Sequence, residues 1–462
     1  MWRNYLTVGL RAMLNNKVYA FVNVVGLAVG IAAAVLIFLY VRYETSYDKW
    51  LPASDRIVQL QTIVNPRDGE TSRSSLAPRV AVESLRREFP EFEHVVGMMK
   101  ARTAITHEGE ARWSDVYWSD PNFFEVFDLP LVRGDPRTAL RDVNSILLTE
   151  SEAERYFGEA NPIGQTLLVN RYGEDQPLKV TGVIADLPEN THLKIGMIAR
   201  FNPDIEVDYY LTNWGAAGGY VYAKLRPGAE AADLNARIPA FEKRNLPAAE
   251  DEGSQSTDEL LDFRFVGVRD IHLGASHKGS MKPGGDPLAV NAFAVVALLI
   301  LGIACANFTN LTTARASLRA REVGVRKVLG ATRPQLIAQF LAEAMLLAAV
   351  AALVGLAIVE LLLPFFNRLL GTDLDLSYVG DSGIWAPMLL LIAVIGTVGG
   401  AYPAFYLSRF QPAKVLKSSA IGAAQGSGRL RSALVIAQFA ISIGLIICAG
   451  VVYGQQNHAP AT

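Results

Sequence analysis

Five apolar blocks decide what this chain can fold into. Residues 18–41, 288–312, 335–363, 385–407 and 432–454 are each long enough to cross a hydrocarbon layer of about 30 Å, which takes roughly 20 residues of helix. The chain is 51% hydrophobic over 462 residues, and the excess sits in these blocks. A multi-pass helical membrane protein is therefore expected. The first block is not a cleavable signal, whose apolar core runs to roughly 7–15 residues before a small-residue cleavage site. Here the run is longer and Ala32, Ala33 and Ala34 sit in its middle, so it reads as an uncleaved signal-anchor.

Charge is segregated between the blocks. The formal net charge is only −2, but residues 42–286 carry 28 Lys and Arg against 39 Asp and Glu, a net of −11. Arg3, Arg11 and Lys17 precede the first block. Residues 315–334 carry six basic side chains against Glu322, and Arg409, Lys414, Lys417, Arg429 and Arg431 precede the fifth block. Cationic loops stay on the cytoplasmic side. The N-terminus is thus expected inside, 42–286 outside, 315–334 inside, 364–384 outside, 408–431 inside as a basic linker, and 455–462 as a short outer tail. Such a layout is that of a multi-pass membrane protein with a large outer domain. The two cysteines, Cys305 and Cys448, both fall inside apolar blocks, so the outer region is no disulfide scaffold and must be stable on its own core.

The outer region reads as α+β. Strand-like 56–64, amphipathic 77–89 and strand-like 94–106 make one βαβ unit; 219–225, 231–244 and 262–268 make a second. Two such units resemble a split, ferredoxin-like layout. Between them, 145–148 is strand-like and 150–157 helical. Residues 165–170 and 178–184 flank a polar turn at 171–175, so 135–200 reads as a small β-rich insertion.

Nothing in the sequence points to catalysis, a metal or a cofactor. His272 and His277 are five apart, with no carboxylate or Cys nearby at ligand spacing. Trp113, Tyr117, Trp118, Phe123, Phe124 and Phe127 form an aromatic cluster, read as core or subdomain seam, with a ligand-stacking surface as the alternative. In residues 1–17, Trp2, Leu6, Gly9, Leu10 and Met13 share one helical face, which suits a helix lying in the inner interface. Gly26 and Gly30 in the first block and Gly396 and Gly400 in the fourth are spaced for close helix packing, within one chain or across a dimer. Glu343 and Glu360 lie towards opposite edges of the third block. Asn307 and Asn310 are expected to hydrogen-bond between helices.

The basic segment 314–332 reads ARASLRAREVGVRKVLGAT. Leu318, Val325, Val328 and Leu329 fall on one helical face. They are expected to hold the helix down while Arg315, Arg319, Arg321, Arg326 and Lys327 face the cytoplasm. Gly330 is a stop signal. Thr332 with Gln335, and Pro334 in the first turn, start the next helix.

From here the residues resemble a known family. Asn307-Phe308-Thr309-Asn310-Leu311, the run from Arg321 to Thr332, Phe340-Leu341-Ala342-Glu343, and the run from Tyr402 to Pro412 are similar to the FtsX-like permease signature. Val180-Thr181-Gly182-Val183-Ile184-Ala185-Asp186-Leu187-Pro188 through His192 resembles the MacB-type periplasmic core domain. The resemblance implies a permease subunit of a mechanotransmission ABC transporter. Residues 42–286 would be the core domain and 288–407 the permease domain. Arg319, Arg321, Glu322, Val325, Arg326, Lys327 and Leu329 would lie on a coupling helix (315–332) that contacts an ATPase. It further implies a second permease copy or paralogue, and exporters of this kind can add a periplasmic adaptor. Beyond the bilayer these are the expected partners; nucleic acid is not among them. The resemblance implies a place in the bacterial cytoplasmic (inner) membrane, with residues 42–286 in the periplasm, and export of a drug, peptide or lipid-like substrate; the alternative is a membrane sensor or scaffold regulating a cell-envelope partner.

No G-x-x-x-x-G-K-[ST] phosphate loop occurs, so an ATPase would be a separate chain and this one no enzyme. Single-unit relatives end after a fourth span. Residues 414–454 instead repeat the opening pattern of a basic stretch followed by a span, as if a second unit began there and were truncated.

Overall fold

The computed structural model describes residues 11, 13–248, 255–274, 278–314, 316–378, 383–408 and 428–458. The interfacial helix expected over 1–17 and the linker 408–431 fall largely outside the described residues. Two compact units are present: residues 43–287, and residues 1–42 together with 288–462.

In the outer unit, β1 (Ile57–Val64), β3 (Phe92–His107), β10 (Gly219–Leu225) and β11 (Leu261–Gly267) lie in the order β11-β1-β10-β3, all antiparallel. Helix α2 (Ala81–Glu88) links β1 to β3, and α4 (Ala231–Asn245) links β10 to β11. This is the split βαβ arrangement expected from the sequence. Both helices bury their apolar stripe against this sheet. Ala81, Val82 and Leu85, with Leu234, Ile238 and Phe241, meet Val58, Leu60, Val221 and Phe263.

The remaining strands do not form a separate layer. At 16 residues, β3 is the longest strand, and β4 (Glu110–Ser119) folds back along it. β9 (Met197–Arg200) pairs with β4 in parallel, and β6 (Ser145–Thr149), β8 (Glu174–Ile184) and β5 (Leu131–Arg133) follow. The short β2 (Ser72–Ser74) joins β1, and β7 (Thr166–Arg171) joins β3 and β8, completing one eleven-stranded sheet. The expected polar turn at 171–175 is tighter than its composition suggests. Pairing runs through Arg171 and Glu174, leaving a two-residue turn with Tyr172 at φ 54° and Gly173 at φ 91°. Positive φ at both central positions is the turn that matches strand twist.

The first residues of this unit are fastened within it by buried acid–histidine contacts. Glu44 Oε2 lies 2.8 Å from His272 Nε2, and Tyr47 stacks on the same imidazole. The carboxylate partner that is missing from the neighbourhood of His272 in sequence thus comes from 228 positions away. One turn on, Asp48 accepts hydrogen bonds from the Thr191 hydroxyl at 2.6 Å and the His192 N–H at 3.1 Å.

Among the described residues, the membrane unit contains five helices long and apolar enough to cross a bilayer. They belong to α1 (Lys17–Glu44), α5 (Pro287–Ala314), α7 (Arg333–Leu370), α8 (Trp385–Ser408) and α9 (Gly428–His458). Ala28, Ile31 and Val35 of α1 pack with Ala348, Ala351 and Ala352 of α7, Ala304 of α5, and Met388 and Ile395 of α8. Small residues dominate this contact because lipid gives helices no hydrophobic reason to associate, so close van der Waals approach must do it. α7 is longer than its apolar block, at 38 residues, and ends at Gly371 in the left-handed conformation. No residue of the apolar window in α9 is buried. The interhelical hydrogen bonds expected of Asn307 and Asn310 are made by threonines: Thr312 accepts from the Tyr19 hydroxyl of α1 at 3.2 Å, and Thr309 donates to α8. The Thr309 hydroxyl reaches the Gly399 carbonyl at 3.2 Å, while Asn310 Oδ1 has no partner among the described residues.

Candidate functional site

The candidate site is the short helix α6 (Ala316–Val328) with the helix ends that hold it. Its boundaries follow the sequence signals. Gly330 stands at φ 97°, a conformation that only glycine adopts without strain. Its N–H bonds the Lys327 carbonyl at 3.1 Å, and the Ala331 N–H bonds the Arg326 carbonyl at 2.9 Å. That pair of bonds is a Schellman cap. Immediately after it, Gln335 Oε1 accepts the Thr332 N–H at 3.0 Å, and Pro334 occupies the first turn of α7.

The buried face of α6 is not the expected one. Val325, Val328 and Leu329 point outward, at 50%, 66% and 81% exposure. Val323 is instead buried among Leu336 and Phe340 of α7 and Ala404 and Leu407 of α8. One turn further, Lys327 Nζ donates to the Ser408 carbonyl at 2.7 Å, and Arg333 Nε reaches the Ser408 hydroxyl at 3.3 Å. The seated face therefore carries a lysine. A search for the most apolar stripe passes over such a face, although Lys327 at a helix C-terminus beside the end of another helix is well placed to meet carbonyls. Val323, Arg333 and Ser408 are the residues that sequence reasoning missed.

The exposed side of α6 combines the three apolar side chains with an ion pair, Glu322 to Arg326 at 2.6 Å, one turn apart. Such a pair contributes only a few tenths of a kcal/mol to the helix, about 0.3–0.5. Its importance is as a surface feature: one acid and one guanidinium displayed beside an apolar patch. Leu318, the fourth residue of the expected face, and Arg319 and Arg321 lie on α6, and their side chains are outside the described residues, as is Arg315.

The four spaced glycines are covered within the chain. A Cβ on Gly30 would sit 2.7 Å from Ala304 Cβ, and one on Gly26 would sit 3.3 Å from Asn307 Nδ2, both on α5. On α8, Gly396 and Gly400 leave the same kind of room for Met345 and Ala344 of α7. Of the two acids in the third block, Glu343 is buried and accepts from Gln339 at 3.1 Å, while Glu360 accepts from the Tyr378 hydroxyl. Among the described residues no group of three or more His, Cys, Asp or Glu could hold a metal ion. The aromatic cluster divides: Tyr117, Trp118, Phe123, Phe124 and Phe127 are buried, whereas Trp113 is 66% exposed.

Comparison with known proteins matches residues 20–241 to the MacB-like periplasmic core domain and residues 294–412 to the FtsX-like permease C-terminal domain. The chain is 25% identical to the macrolide export ATP-binding/permease protein MacB of Syntrophobacter fumaroxidans, over 90% of this chain and 64% of that protein. It is 21% identical to the uncharacterized ABC transporter permease YvrN of Bacillus subtilis, over 89% of this chain and 99% of that one. The periplasmic region of MacB from Actinobacillus actinomycetemcomitans aligns with a TM-score of 0.32 at 15% identity, covering 46% of this chain and 90% of that one. The chain thus spans just under two thirds of the Syntrophobacter protein and nearly all of the Bacillus one.

Proposed function

We propose that this chain, whose residues 20–241 match a MacB-like periplasmic core domain and 294–412 an FtsX-like permease domain, is the membrane subunit of an ABC transporter that couples ATP hydrolysis on a separate ATPase to movement of its outer domain. Its relatives include proteins named for macrolide and pyoverdine export, which favours export of a drug, peptide or lipid-like molecule. The N-terminus and α6 face the cytoplasm in this reading, and residues 43–287 face the periplasm, in agreement with the charge segregation.

The observation that carries the reading is the surface of α6. Val325, Val328 and Leu329 are exposed on a helix that is already anchored through Val323 and Lys327. The helix thus presents a small apolar patch with a Glu–Arg pair at its edge. That is the make-up of a docking site with an apolar centre and a charged rim.

The test is co-purification of the full chain with a candidate ATPase. Glu322→Lys, Arg326→Glu and Val328→Asp are each expected to weaken capture by about tenfold or more, since loss of one docking residue of this type costs over 1 kcal/mol. Unchanged capture in all three would sink the assignment of α6 as the coupling helix.

A further inference from the structure

Strand β4 is largely a core strand, with Val116 at 0% and Trp118 at 2% exposure, yet Trp113 on the same strand is 66% exposed. Its indole makes no ring or cation contact with another side chain among the described residues. It borders a cleft of about 870 Å³ in the outer unit, within the size range of small-molecule sites. Arg102 of β3 stands beside it on the same sheet face. Helix α3 (Glu150–Phe157) and residues from 186 to 196 also line the cleft. The buried side chains of Leu193 and Ile195 lie at the base.

The charges of the cleft are unequally committed. Asp115 is held by Lys100 at 2.8 Å and Glu189 by Lys282 at 3.1 Å. Glu152 lies 3.4 Å from Arg155, and Asp186 accepts the Ser151 N–H at 3.1 Å. Each lining acid therefore has a donor. Arg102 and Lys194 are exposed and have no partner among the described residues. What remains for a ligand is one indole face and two uncommitted cations.

We propose that this cleft binds a small anionic molecule carrying a flat apolar ring. The ring lies on Trp113, and the anionic group is taken by Arg102 and Lys194. Stacking on the indole supplies apolar contact with preferred geometry. A guanidinium and an ammonium then select charge, the guanidinium with two parallel donors.

The test uses the full chain in lipid nanodiscs and isothermal titration with 2-naphthoate, with empty nanodiscs subtracted. Saturable binding is expected. Trp113→Ala should weaken it by about tenfold, as should the double variant Arg102→Gln with Lys194→Gln. Trp113→Phe, which keeps a ring, should lose less than Trp113→Ala. Arg137→Gln, an exposed arginine outside the cleft lining, should bind as the wild type. Melting temperatures matching the wild type would confirm that the variants fold. The neutral analogue 2-naphthalenemethanol should bind about tenfold more weakly. Non-saturable uptake of naphthoate, equal binding of the alcohol, or unchanged affinity in both cleft variants overturns the proposal. Neither nucleotide nor ATPase enters the titration, so its outcome is independent of the coupling test.

Discussion

Single residues in the outer unit carry consequences out of proportion to their size. Asp120 is buried and accepts from the Gly97 N–H at 3.0 Å, from Arg79 at 3.1 Å and from Arg86 at 3.1 Å. It thereby joins the start of α2 to β3 and to the end of β4. Removing one partner of a buried ion pair costs about 3–5 kcal/mol, because the other charge is left without compensation. Asp120→Ala should therefore lower the melting temperature of the full chain by roughly 6 °C or more. Glu242 behaves differently. Burial, reinforced by Asp262, pushes its carboxyl up to about 7 against the Phe263 N–H that favours the charged form. The folded chain then binds this proton more tightly than the unfolded chain does. Its contribution to stability is best at low pH and declines as pH rises from about 4.5 to about 7, where it levels off. The full swing is on the order of 3 kcal/mol. Glu242→Gln keeps an acceptor for Phe263 and should flatten this part of the profile. Melting curves at pH 5 and 8 would show it as a variant more stable than the wild type only at the higher pH.

Among elements, the close approaches set the tolerances. A Cβ on Gly97 would fall 2.3 Å from Arg79 Nη1 and 2.9 Å from Val82 Cγ2. Gly97→Ala should thus push α2 off β3 and cost about 1–3 kcal/mol, read as lost hydrogen-exchange protection in both elements. Elements of this kind were legible in the sequence where one signal dominated. The βαβ units, α3 and the five spans each have a single strong period, and the caps at Gly330 and Thr332 have definite residue chemistry. Where two faces of an element compete, the pattern misleads. Val325, Val328 and Leu329 outweigh Val323 in any hydrophobic count, yet Val323 is the residue that α7 and α8 cover. β4 was hidden for a related reason: Trp113 reads as one more core aromatic until its neighbours across the sheet are known. Glu44 and His272, 228 positions apart, could be joined only by the fold.

At the scale of the whole molecule, the charge segregation makes a topology that can be measured. In a background with Cys305 and Cys448 replaced by serine, Asp142→Cys should react with a membrane-impermeant maleimide added from outside. Leu329→Cys, which is exposed on α6, should react only after the membrane is opened. The reverse pattern would invert the proposed orientation. The two units also divide the labour of stability. The outer unit has its own cores around Phe123, Tyr222 and Trp118, while the membrane unit is held by small residues at helix contacts. Enlarging a contact glycine such as Gly400, whose Cβ would lie 2.6 Å from Ala344 Cβ, therefore acts on the membrane unit by separating α7 from α8.

The back-to-back caps at residues 327–335 have a mechanical meaning. One helix is sealed by bonds from Gly330 and Ala331, and the next is opened by the bond from Thr332 to Gln335, with no free residue between them. Such a corner has no slack to absorb a displacement by bending. Under the coupling role proposed above, a load applied at Leu329 would be delivered to the base of α7 and, through Ser408, to the end of α8. The corner would then work as a bell-crank, turning a push along one axis into a tilt of two others.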